Sequence, residues 1–175
     1  MKSTTKKILW IISVILIIAI GSLLIYKGIV EAKKRTQYNE LSTKHEQVLN
    51  EAIAKNDLGI SKYNEGAYQD AKSAMAQAKQ KYEEALAIDK DSLDLARKFS
   101  GKSWLVDYKE KLMANEQYRI DYSIKIEQAA DAQIQSDTSK ARNLIEDSET
   151  IKKKIDQINE QLSEIEKQHP DFFHQ

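Results

Sequence analysis

Cysteine is absent from the 175-residue chain. That excludes a disulfide scaffold, a thiolate zinc site, a cysteine nucleophile and a lipidated anchor cysteine. Proline occurs once, as Pro170, and glycine five times. Turn-rich β architectures need frequent Gly and Pro punctuation, so this scarcity predicts long helices. No Asn-x-Ser/Thr sequon is present, which is consistent with a prokaryotic source. Gly-rich phosphate loop, nucleophile elbow and His-Glu-x-x-His zinc helix are all missing. An excess of positive charge is missing too. Four of the 27 basic residues (Lys2, Lys6, Lys7, Lys27) and none of the 27 acidic ones fall in residues 1–27, so the remainder carries a net charge of about −4. Phosphate binding needs clustered Lys and Arg, and no nucleic-acid partner is expected.

What the chain does have is one long apolar run. Residues 8–26 contain no charged side chain, and at 1.5 Å per residue they would span roughly 28 Å as a helix, close to a hydrocarbon core of about 30 Å. Trp10 and Tyr26 stand near its ends and Lys7 and Lys27 flank it, as amphipathic and basic residues do at membrane interfaces. A transmembrane helix over 8–26 is therefore expected, preceded by a short tail (1–7) and followed by a charged juxtamembrane linker (27–37). A cleaved signal peptide is the alternative, with Ala19 and Gly21 at the small positions of a cut. Lys2, Lys6 and Lys7 on one side nearly balance Lys27, Lys33, Lys34 and Arg35 on the other. The short tail and long hydrophilic remainder predict a single-pass signal anchor with the soluble part extracytoplasmic; the opposite orientation reads Lys33-Lys34-Arg35 as a cytoplasmic stop.

Residues 38–168 read as an elongated antiparallel helical bundle or coiled-coil domain, making the chain all-α, with a C-terminal tail over 169–175. A first helix (38–64) carries Leu41, Val48, Leu49, Ala52 and Ile53 at helical spacing and stops at Gly66, placed for a left-handed conformation. A second (68–88) is rich in alanine, and Asp89-Lys90-Asp91-Ser92 is expected to break it, with Asp91 or Ser92 capping the next. The third (93–135) contains a kink or turn at Ser100-Gly101. In the fourth (140–168), Ala141, Leu144, Ser148, Ile151, Ile155, Ile158, Leu162 and Ile165 form a heptad seam. That seam is expected to pack within the chain, burying both Ile155 and Ile158; oligomerisation through it is the alternative. His169-Pro170 ends the helix.

Residues 58–89 resemble one tetratricopeptide repeat. Leu58-Gly59 is similar to that family's Leu-Gly pair, Gly66-Ala67-Tyr68-Gln69-Asp70-Ala71 to its turn and second-helix start, and Tyr82 to Asp89 to its closing stretch. About seven extra residues lengthen the second helix by roughly two turns, and Lys90 stands where the family has proline. No second copy follows at the required spacing, and a lone repeat cannot bury its face. The resemblance implies a helical hairpin whose concave face binds peptides, without enzymatic activity.

His45, at helical spacing between Leu41 and Val48, reads as a partly buried bundle residue. His169, Asp171 and His174 crowd a chain end, where side chains are usually solvated. Glu83-Glu84 point in different directions and form no acid–base pair, and Lys152-Lys153-Lys154 reads as a solvated face. No catalytic residue, cofactor or metal is expected, and no enzyme. The aromatics Tyr63, Tyr68, Tyr82, Trp104 and Tyr108, with Phe172 and Phe173 in the tail, are candidates for binding a protein partner, core packing being the competing role. The functional expectation is a membrane-anchored interaction module, a scaffold or adaptor in a cell-envelope assembly. An extracytoplasmic ligand-sensing bundle and a tetratricopeptide-like peptide-binding hairpin are the alternatives.

Overall fold

The computed structural model describes the backbone of residues 2–99 and 101–173 and the side chains of residues 22–99 and 101–173. Every described element is helical: α1 (Lys2–Asn64), α2 (Tyr68–Ala96), α3 (Ser103–Ile134), α4 (Thr138–Gln168) and the single turn α5 (Pro170–Phe173). Two compact units divide the chain, Met1–Asn39 and Glu40–Gln175.

In the first unit Leu23, Leu24, Ile25, Tyr26 and Ile29 are 57–68% exposed, whereas Val30 is half-buried and Tyr38 is buried. Among the described residues no helix is long and apolar enough to cross a membrane. The span expected over 8–26 falls mostly on residues 8–21, outside the residues whose side chains are described.

The second unit is an up-and-down bundle, and its pairings fix the directions. Gly59 of α1 lies against Met75 of α2 while Val48 packs with Ala85 and Ile88, so these helices run antiparallel. Lys72 reaches Asp131 and Lys109 reaches Asp89, which sets α3 antiparallel to α2. Tyr108 bonds Glu166 and Lys125 bonds Asp147, which does the same for α4 on α3. Small residues allow the close approach. On α2, Ala71, Met75, Ala78, Tyr82 and Ala85 alternate steps of four and three and are all buried, and Ala52, Ala78, Tyr82 and Ile120 close a core from three helices.

Gly66 takes φ +79°, and Ala67 N–H returns to the Lys62 carbonyl, the left-handed helix stop its position predicted. Ser136 does the same work after α3 with φ +63°, Asp137 N–H returning to Ala132. The side chain of Asp137 then accepts from Lys140 N–H and caps α4.

Two expectations need correction. Residues 89–92 are no break: α2 continues to Ala96, and Asp89 and Ser92 lie fully inside. They extend the α2 core alternation, and Ser92 Oγ donates to the Ile88 carbonyl within the helix. In α4, Ala141, Ser148, Ile155 and Leu162 are buried at intervals of seven, but Leu144, Ile151, Ile158 and Ile165 are only half-buried. The stripe packs on α3, and α4 makes no contact with α2.

Candidate functional site

Three helices each place a polar residue where the core alternation calls for an apolar one. On α1 the stripe Leu41, His45, Val48, Ala52 brings in an imidazole. On α2 the alternation reaching Tyr82 and Ala85 continues to Asp89. On α3, Leu105 is followed at steps of four, seven and four by Lys109, Glu116 and Ile120. The antiparallel packing sets these residues in one layer, next to the layer of Val48, Ala85 and Ile88. Asp89 is 0% exposed, Glu116 1%, Lys109 2% and His45 6%.

Lys109 Nζ donates to Asp89 Oδ1 at 2.9 Å. His45 Nε2 is hydrogen-bonded to Glu116 Oε1 and lies 3.3 Å from Asp89 Oδ2. One carboxylate oxygen on each acid, Asp89 Oδ2 and Glu116 Oε2, has no hydrogen-bond partner although both are buried. Burial pushes the Glu116 carboxyl up to about 7, the negative charge of Asp89 adds to the rise, and the bond to His45 opposes it. An unpaired buried carboxylate costs several kcal/mol, about as much as breaking a buried pair, and the Lys109 ammonium offsets only one of the two. The layer is therefore a place where one more positive charge, a proton or a cation, is stabilised. His45, Asp89 and Glu116 can each offer a ligand atom, all within 4.8 Å of one another.

The aromatics divide between the two ends of the bundle. Tyr63 and Tyr68 meet edge to face at 5.4 Å across the α1–α2 turn. At the other end Trp104 stacks on His169 at 3.9 Å and takes Phe172 and Phe173 on its edges at 5.2 and 5.8 Å. Tyr108 meets Phe173 at 4.8 Å, and Lys102 Nζ stands 4.2 Å from the Phe172 ring. The tail thus folds back on α3. Tyr82 belongs to neither group. It is 1% exposed in the three-helix core, so as a partner-binding residue it is a correction: its ring serves packing and offers no surface.

Sequence reading placed His45 inside the bundle but missed Asp89, Lys109 and Glu116. A signal existed. Carrying the three-and-four alternation of α2 past Ala85 lands on Asp89, at a core position.

No family model, curated protein or solved structure matches the chain. The hairpin implied over residues 58–89 is present as the end of α1 and the start of α2, but α2 runs on to Ala96, past the point where a tetratricopeptide repeat would close.

Proposed function

We propose that this chain is a membrane-anchored helical interaction module, a scaffold or adaptor of a prokaryotic cell envelope with its bundle on the extracytoplasmic side. One observation carries the anchor. Leu23, Leu24, Ile25 and Tyr26 are consecutive, all exposed, and at about 100° per residue they point to every side of α1. A single protein face covers one stripe of a helix, whereas lipid surrounds it. In the sequence, the run over 8–26 carries no charged residue. The net negative soluble part, the Tyr63–Tyr68 pair and the half-buried α4 edge support a protein partner rather than nucleic acid. That edge also supports self-association.

The buried His45–Asp89–Glu116–Lys109 layer favours a second reading, an extracytoplasmic sensing bundle, because charges placed in a core respond to what binds beside them. Fractionation tests the first reading. The chain should stay with membranes after alkaline carbonate extraction, and protease added to intact spheroplasts should digest residues beyond about 38. Release into the wash would remove the anchor, and protection until lysis would put the bundle in the cytoplasm.

A further inference from the structure

We propose that His45, Asp89 and Glu116 form a binding site for one divalent first-row transition cation, of which zinc is the test case. The inference concerns the Glu40–Gln175 unit alone and does not depend on how the chain meets a membrane. Three observations carry it. The donor atoms lie within 4.8 Å of one another and come from three different helices, each held by the surrounding core. Asp89 Oδ2 and Glu116 Oε2 are buried without a hydrogen-bond partner, and Asp89 Oδ2 faces His45 Nε2 at 3.3 Å, so both oxygens are turned into the cluster with bonding capacity to spare. Lys109 holds Asp89 by its other oxygen, Oδ1. This is how a supporting group orients a ligand carboxylate and leaves its metal-facing oxygen free.

The chemistry of the donors selects the ion. Tetrahedral zinc places its ligand atoms roughly 3.4 Å apart with bonds of about 2.0–2.2 Å. Asp89 Oδ2 already lies 3.3 Å from His45 Nε2, while Glu116 must exchange its hydrogen bond to His45 for the ion. One imidazole with two carboxylates is a mixed nitrogen–oxygen set, which suits zinc and its first-row neighbours. Calcium and magnesium favour oxygen alone. Three protein ligands leave a fourth position for water. Lys109 opposes the cation by charge while it orients Asp89, so the site is tuned below its greatest affinity. Because the layer lies inside the bundle, metal exchange requires the helices to open and is slow.

The test uses the full chain without an affinity tag, purified in detergent, stripped with a chelator and re-equilibrated with zinc. One zinc per chain should remain after desalting, and zinc should raise the melting temperature. His45→Ala and the near-isosteric Glu116→Gln should each weaken binding by at least about tenfold. His169→Ala, in the tail, should leave it unchanged. X-ray absorption of the zinc-loaded wild type supplies a readout independent of any variant, and should show one imidazole nitrogen with the remaining ligands oxygen. No retained zinc in folded wild type overturns the proposal. So does binding undiminished in both ligand variants, or a shell of oxygen alone.

Discussion

Methionine in place of Lys109 keeps most of the side chain's aliphatic volume and removes its charge. The structure isolates that charge well: Lys109 is 2% exposed, its partner Asp89 0%, and Nζ lies 2.9 Å from Oδ1. Removing one member of a buried pair leaves the other uncompensated, at a cost of about 3–5 kcal/mol. In the metal-free chain this is a fifth or more of a domain stability of about 5–15 kcal/mol. The loss should depend on pH. Any proton the layer takes up substitutes for the lysine's charge, so the deficit should be greatest at about pH 8 and shrink toward about pH 5. The double variant Lys109→Met/Asp89→Asn should recover most of the loss, because it removes the stranded charge along with its partner. Urea unfolding followed by far-ultraviolet circular dichroism, in excess chelator and at both pH values, measures all four corners of the cycle. A deficit below about 1 kcal/mol at about pH 8, or one equal at both pH values, would mean that Lys109 and Asp89 are hydrated and that the layer is not the low-dielectric site described here.

Glu116 gives a second pH prediction for the metal-free chain. Its folded value of about 7 lies above an unfolded value of about 4.3, so the folded state keeps a proton that the unfolded chain has lost. That stabilisation is complete below about pH 4 and disappears as pH rises through about 7, up to about 3 kcal/mol in all; Glu116→Gln should flatten this slope, and parallel profiles would refute it. Ile155→Ala should cost about 2–5 kcal/mol equally at low and high protein concentration, and Ile158→Ala clearly less, because Ile155 is 8% exposed while Ile158 is half-buried. Melting that rises with concentration, with the Ile155→Ala loss tied to dissociation, would make the seam an interface between chains. Ser136→Gly should stabilise the bundle by about 0.5–1 kcal/mol in thermal unfolding, since Ser136 holds φ +63° with a side chain that disfavours it.

The parts of this fold that could be read from the sequence are those set by neighbours along the chain. Gly66 announces the end of α1 because a left-handed stop needs only the preceding turn. The period of α4 appears in its own residues, Ala141 to Leu162. Asp89 and Ser92 show the limit of such reading. Four polar residues in a row look like a turn, and only the approach of Lys109 and His45 from other helices makes Asp89 an interior residue. Ile158 differs from Ile155 for a similar reason: both sit on the seam, but how far each is covered depends on how α4 lies against the helices it packs on, α3 among them. The chemistry of the site was hidden by the same fact. A histidine among apolar residues is ordinary until the carboxylates that face it are known, and these lie far along the chain.

Trp104 sits in the first turn of α3, yet three of its ring neighbours, His169, Phe172 and Phe173, come from the last seven residues of the chain. Its emission therefore reports whether the chain's end is latched, separately from whether the helices are intact. Undocking of the tail would expose the indole to water and redshift its fluorescence while the far-ultraviolet signal stayed unchanged. A fusion joined directly behind Gln175 would load that latch, so a spacer belongs between them. With Trp10 replaced, the same tryptophan makes a built-in gauge of fraying at one end of the bundle.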